Sequence, residues 1–516
     1  MLALNARWRT LSDLAGALWL DQSAPCGWLV LERLALLAFG PDERAARAVP
    51  TLFGLGTLAA AVWIGRRWLG PLGAVVLSAA CATGTWLVFF TLELKHYSAD
   101  ACLALLLPAI AAWTTEADRE DARRSRVAAF WGIAAAGLWF SNGAVFVAPG
   151  CAVVVVFSAW RHDGVRGASR AAAFGVVWLA SLGLDYWFVL RHALGNAYLA
   201  NYWSFAFPPP GGGLSGALGW IQHVVATFPV KPGGSELSPL FSLLVAAGVI
   251  HGVRRVGALG AAYALVPAAA IALGLLGIVP PFERLGIWVV PALYVSLALA
   301  ADLAVHLLRT GWRARPARVG LGLVLLAASV VTTVDVVRNG LRELGVRSEN
   351  NNYGLDDRRA TRRVLDLLEP GDPVLTTHFG LAGLWWYAGE NPGGPRRGAF
   401  LTDSPLYEMS FASDPRTCRT AGADTTAVLE AAGRAVIYLG FRLNVLPEGF
   451  DAFVLDDLAR RGRLVGYSTY ADLSDVAAFD FTQAPDPRDA AWLRTARPRL
   501  GPPLAGCLVL RPAGRW

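Results

Sequence analysis

About ten apolar runs, separated in every second gap by clustered arginines, decide what this chain can fold into. They read as 48–64, 71–90, 99–114, 127–141, 144–160, 171–192, 237–252, 258–279, 286–308 and 319–336. A helix crossing a bilayer core needs about 20 predominantly apolar residues, so several runs are short for a perpendicular span. The stretch 127–160 would be about twice the core thickness as one helix, and Phe140-Ser141-Asn142-Gly143 supplies a turn that divides it. Composition agrees, with 55% hydrophobic and 16% charged residues against about 25% charged in soluble domains. The expected class is an α-helical polytopic membrane protein of about 10 spans, ending in a small extracytoplasmic α/β domain.

The charges choose a side. Arg66/Arg67, the run Arg119–Arg126, Arg161/Arg166/Arg170, Arg254/Arg255 and Arg309/Arg313/Arg315/Arg318 occupy alternate loops. The positive-inside rule makes those loops cytoplasmic. The intervening loops, which hold Lys95, Lys231 and Arg284, then face outward, as does everything after about 337. The net charge of +7 comes mainly from these short loops rather than from a basic stripe with interleaved aromatics, which excludes nucleic-acid binding. The expected setting is the cytoplasmic membrane, with segments 1–47 (an outer loop carrying an interfacial helix at Gly27–Phe39), 48–337 (membrane domain) and 338–516 (outer α/β domain).

Beyond 338 the pattern changes. Asp356–Leu368 has helical periodicity and runs into Pro370-Gly371-Asp372, and strand-like runs follow at Pro373–Thr377, Ala435–Leu439 and Cys507–Leu510. Cys418 and Cys507 can pair if this region is outside the cytoplasm. His378, Trp385, Trp386 and Tyr387 suit either sugar stacking or a packed core. The loop 193–236 carries Pro208-Pro-Pro-Gly-Gly-Gly213 and Pro232-Gly-Gly234, the composition of a mobile lid or of a plain connector. The cysteines show no zinc-ligand spacing, so no cofactor is expected; a divalent metal stays open because acids cluster, without a ligand set.

The residues with chemistry lie at Thr91-Leu92-Glu93-Leu94-Lys95-His96-Tyr97-Ser98-Ala99-Asp100, between two apolar runs. A charge at mid-bilayer costs roughly 2.5–3.5 kcal/mol, so such clusters are rare and lean functional. If 93–100 is helical, Glu93, His96, Tyr97 and Asp100 share about one quadrant, with Lys95 pointing elsewhere. The structural alternative is an ion-paired helix start, with Ser98 and Asp100 near its positive end.

The order of elements resembles the polytopic glycosyltransferases related to protein O-mannosyltransferases and lipid A aminoarabinose transferases, which use polyprenyl-phosphate-linked sugars on the extracytoplasmic face. Gln22-Ser-Ala-Pro25 before an aromatic-aliphatic helix is similar to that family's Gln-x-Pro segment. Phe39-Gly40 with Glu43 and Arg47-x-x-Pro50 is similar to its lead into a membrane helix, Glu93–Asp100 to its second acidic motif, and Arg284 with Pro291 to its late arginine-helix-proline segment. The resemblance spans roughly residues 1–310 and implies direct displacement at the anomeric carbon with inversion. Asp100 and Glu93 would be catalytic, Lys95, Arg284 and Lys231 would hold the donor phosphate with Arg47 in support, and His96, Tyr97 and Gln22 would contact substrate. The partners implied are a polyprenyl-phosphate sugar and a lipid, glycan or protein acceptor.

The family's main acidic motif precedes a stretch similar to Leu2–Asn5 and Arg7–Leu11, where this sequence starts. The topology independently asks for one more helix before residue 48. Both point to a segment upstream of Met1 that carries the general base, with Asp13 or Asp21 as the alternative acid. Two other classes stay open: a transporter or flippase of lipid-linked intermediates, disfavoured by the one-sided charges and the lack of repeats, and a non-catalytic envelope-assembly subunit.

Overall fold

The computed structural model describes residues 1–194, 203–311, 316–348, 356–391, 399–400, 404–440, 446–470, 474–496 and 504–513. The chain forms two compact units. One comprises Leu11–Val346 together with Leu2; the other comprises Arg347–Trp516 with Met1 and Ala3–Thr10.

In the first unit every expected apolar run falls on a helix. After α1 (Leu2–Trp8), which apart from Leu2 belongs to the second unit, α2 Cys26–Phe39 leads to α3 Ala45–Trp68, α4 Pro71–Thr83, α5 Thr85–Thr91, α6 Tyr97–Thr115 and α7 Glu120–Gly137. Then come α8 Gly143–Ala173, α9 Gly175–Asp185 with a continuation to Leu194, α10 Gly213–Thr227, α11 Ser238–Arg255 and α12 Ala258–Leu275. A 3₁₀ turn at Glu283–Val289 opens α13 Val290–Gly311, and α14 spans Pro316–Ser348. Among the described residues six helices are long and apolar enough to cross a membrane, or seven if the bent α4–α5 pair is one span. The protein is therefore a multi-pass membrane protein.

The count of about ten needs correcting in kind. The expected spans 127–141 and 237–252 are α7 and α11, whose ends carry Glu120–Arg126 and Arg254/Arg255 and so dilute the apolar run. The spans 144–160 and 171–192 belong to one helical stretch, Gly143–Leu194, broken at Asp163–Gly164, where Gly164 takes φ 62°. The helix α14 also runs past 337 to Ser348, and the two units part near 346.

Burial explains the layering. The apolar windows of α6 and of Glu283–Thr310 are 83% and 89% buried, so these helices form the centre, while α14 at 28% lies at the rim. Small residues allow the close approach. A Cβ on Gly248 would fall 1.8 Å from the Ser296 carbonyl oxygen, and one on Gly340 would fall 1.4 Å from that of Thr83. The 48° bend between α4 and α5 sits at Gly84, where a Cβ would meet the Tyr294 hydroxyl at 2.3 Å. That hydroxyl donates to the Gly233 carbonyl at 3.0 Å, tying the bend to the turn after α10.

Two sequence expectations change here. The helix α2 does not keep its charges outward: Glu32 is fully buried beside Trp28, Leu29, Ala35 and Leu36, and neither carboxylate oxygen has a hydrogen-bond partner among the described residues. Helical phase places it there, since 28, 29, 32, 35 and 36 share one face. Burial pushes its carboxyl up to about 9, so it is held neutral. The loop 193–236 is no plain connector in its described part. It folds as a short turn at Ser204–Ala206 and then α10, joined by the Trp220 indole donating to Ala206 at 3.0 Å; residues 195–202 lie outside the described residues.

The second unit is α/β. Its elements are α15 Asp357–Leu367, β1 Val374–Thr376, α16 Gly380–Ala388, β2 Ala399–Phe400, β3 Ser404–Ala412, α17 Pro415–Ala432, β4 Arg434–Leu439, α18 Phe450–Ala459, β5 Arg463–Tyr470, β6 Ser474–Asp480, α19 Pro487–Ala496 and β7 Cys507–Pro512. The sheet order is β2-β3-β1-β4-β6-β5, with β7 on β3. Strand β1 lies parallel between β3 and β4, so its Val374 and Leu375 are buried on both faces. Arg434 bonds Asp372 at 2.5 Å and Glu369 at 2.9 Å, closing the Pro370-Gly371-Asp372 turn that ends α15. Cys418 and Cys507 are joined in a disulfide that ties α17 to β7. Trp385 is buried, Trp386 lies under the Arg7 guanidinium at 5.5 Å, and His378 Nδ1 is 3.3 Å from Glu408 Oε2.

Candidate active site

The broken helix α4–α5 delivers the chain to Leu92, and residues 92–96 then turn without helical structure before α6 starts at Tyr97. The helical quadrant expected over 93–100 is thus corrected: only Tyr97 and Asp100 lie on α6, with His96 as its N-cap. The Lys95 amide donates to Glu93 at 2.8 Å, and the Ala99 and Asp100 amides both donate to the His96 carbonyl.

Asp100 is buried and strongly bonded. Its Oδ1 accepts from Ser141 Oγ at 2.7 Å and from the Gly143 amide at 3.0 Å, while Ser141 Oγ also accepts from the Ala144 amide. It therefore caps α8, a helix that starts 43 residues later, rather than its own. His96 Nε2 lies 3.1 Å from Asn142 Nδ2. Burial first, and then neighbouring Lys95, push the imidazole down to about 3, so it is neutral. The 3.6 Å approach of His96 Nε2 to Asp100 Oδ2 is then no ion pair.

The same Ser-Asn-Gly turn receives α2. The Trp28 amide donates to the Trp139 carbonyl at 2.9 Å, and a Cβ on Gly27 would fall 2.6 Å from that oxygen. The Trp28 ring stands edge-on to His96, with centroids 6.3 Å apart, and Tyr97 packs between Phe90 and His96. A Cβ on Gly143 would strike Trp288 at 2.7 Å. Four segments thus meet within one turn of Asp100.

Lys95 is the half-buried cation of the group. Its Nζ donates to Gln22 Oε1 at 2.8 Å, and Gln22 Nε2 donates in turn to the Leu20 carbonyl at 2.9 Å. Gln22 therefore aims the ammonium. Burial, and then the Arg284 guanidinium, lower Lys95 to about 8, with Glu93 pulling the other way. Arg284, on the turn opening α13, lies over the Trp203 ring at 4.9 Å, and Phe282 and Phe205 pack edge-to-face beside it at 5.2 Å. Two cations from distant segments are thereby held within each other's field.

Lys231 is not brought in. It is exposed on the turn after α10 and makes no hydrogen bond or ion pair with these groups among the described residues. Arg47 is likewise exposed, on the first turn of α3. The Asp21 side chain lies outside the described residues, and among those described no group of three His, Cys, Asp or Glu could hold a metal ion. Ser141, Asn142 and Trp203 were not singled out from sequence. The first two read only as a turn, though Ser-Asn-Gly before an apolar run is also a helix-start signal; Trp203 carries no local signal.

No family model matches this chain, and no curated protein matches it. Solved structures do. ArnT from Cupriavidus metallidurans in the apo state superposes with a TM-score of 0.54 at 15% identity, covering 94% of this chain and 93% of that one. ArnT from the same organism bound to undecaprenyl phosphate gives 0.50 at 14% identity, covering 92% and 95%. The Archaeoglobus fulgidus oligosaccharyltransferase in complex with Zn and sulfate gives 0.43 at 14% identity, covering 81% and 59%. The chain has the fold of ArnT, which is the fold its sequence resemblance implied.

Proposed function

We propose that this protein is a membrane glycosyltransferase that moves a sugar from a polyprenyl-phosphate donor to an extracytoplasmic acceptor with inversion. The observation that carries this reading is that Lys95, half-buried and aimed by Gln22 on the turn before α6, lies in the electrostatic field of Arg284. Glu93 offsets part of the repulsion between them, and a lipid phosphate bound at the two cations would offset the rest. The solved structure of ArnT with undecaprenyl phosphate, on the same fold, supports that choice of anion.

In this reading the ammonium and guanidinium neutralise charge building on the phosphate as the anomeric bond breaks. Gln22 and Trp203 are positioning residues that aim Lys95 and Arg284. The acceptor hydroxyl loses its proton to a carboxylate; Asp100 is committed to the α8 cap, so Glu93, beside Lys95, is the better placed of the two. His96 is neutral and joins Asn142 in holding the turn. The alternating arginines, and a disulfide of the kind that persists outside the cytoplasm, support an outward-facing cluster and outward-facing α/β unit in the cytoplasmic membrane.

The test is transfer from a radiolabelled polyprenyl-phosphate sugar in membranes. Replacing Lys95 and Arg284 by glutamine should abolish labelled product at normal expression. Unchanged labelling would refute the reading, and altered complex formation alone would favour an assembly subunit.

A further inference from the structure

The C-terminal part of α14 carries Asp335, Arg338, Asn339 and Arg342 at spacings of three, four and seven, which places them on one helical face. With Glu236 they line a cavity of about 300 Å³. Half of this stripe has a structural task. Asp335 Oδ2 accepts from Ser235 Oγ and from the Glu236 amide, both at 2.8 Å, and Asn339 Nδ2 donates to the Gly234 carbonyl at 3.1 Å. These bonds clamp the turn after α10 onto α14.

The other half has none. Arg338 and Arg342 are exposed and make no ion pair or hydrogen bond among the described residues. Like charges four residues apart destabilise a helix. By the alternation of loop charges they also lie at the end of α14 where the positive-inside rule depletes arginine. Guanidinium forks one helical turn apart suit the separate oxygens of a phosphate group.

We propose that this cavity binds the phosphate of a membrane phospholipid headgroup, at a site distinct from Lys95 and Arg284. The lipid source follows from the exposed Val334 and Leu341, which flank Arg338 on the same helix and offer an apolar surface beside the arginines. The carboxylates of Glu236 and Asp335, which line the same cavity, set the charge preference: they repel a second negative charge, so a monoanionic phosphodiester is favoured over a dianionic monoester.

Native mass spectrometry of the full chain with phosphatidylglycerol, diacylglycerol and inorganic phosphate tests this. The wild type should retain phosphatidylglycerol and release diacylglycerol. R338Q/R342Q should lose at least tenfold in phosphatidylglycerol affinity, R338K/R342K should recover part of it, and R254Q, at the far end of α11, should leave it unchanged. Gln variants that match the wild type would overturn the site. Inorganic phosphate displacing the lipid at equal concentration would overturn the lipid assignment in favour of a soluble phosphate. Because no sugar transfer is read, the outcome is independent of the proposed catalytic activity.

Discussion

Lys95 concentrates the chemistry, and its titration makes opposite predictions for binding and for stability. Phosphate needs the ammonium, so donor affinity should be level below about pH 7 and fall as pH rises through about 8. Unliganded stability should run the other way. The folded pKa is below the ordinary 10.5, so the unfolded chain binds more protons between 8 and 10.5, and stability rises across that window. Binding and thermal-unfolding series across pH 7–10.5 read both slopes, and Lys95→Met should remove both. Asp100 behaves as a positioning residue. Asp100→Ala should cost about 1–3 kcal/mol by orphaning the Ser141 hydroxyl and the Gly143 amide, whereas Asp100→Asn keeps an acceptor and should keep most donor affinity. A KM-against-kcat split separates this from direct proton transfer. The cluster was legible because charges between apolar runs are expensive. Its partners were not: nothing local to Asp100 announces Ser141, and nothing local to Arg284 announces Trp203.

At the level of elements, hydropathy located the helices, because only a long apolar helix satisfies both lipid and backbone. It could not phase them. An interfacial helix at Gly27–Phe39 would turn Glu32 to the headgroups, yet Glu32 shares a face with Trp28 and Ala35 and is buried with them. The bend at Gly84 was equally invisible, since it depends on Tyr294 and the Gly233–Gly234 turn, far along the chain. This bend sets where α5 delivers Glu93. Gly340 supports it from α14, against backbone that cannot swing aside. Gly340→Ala should therefore destabilise the protein by about 1–3 kcal/mol, read as a lower unfolding temperature in detergent. A wild-type melting curve would show that α14 packs more loosely than this contact implies.

For the whole molecule, the change of composition near residue 338 signals a helical part followed by an α/β part, while the parting of the two units near 346 and the place of residues 3–10 with the α/β unit carry no such signal. The pairing of Cys418 with Cys507 followed from the same division, while β3, β5 and β6 carried too little alternation to be read in advance. Activity depends on distant segments of the membrane unit being folded together to present Lys95 and Arg284 to a lipid phosphate, as proposed above. Equilibrium binding of undecaprenyl phosphate to the full chain tests it most directly. The account predicts saturable binding that weakens at least tenfold in Lys95→Gln and in Arg284→Gln, with Lys231→Gln unaffected. Equal affinity across the wild type and all three variants would contradict it.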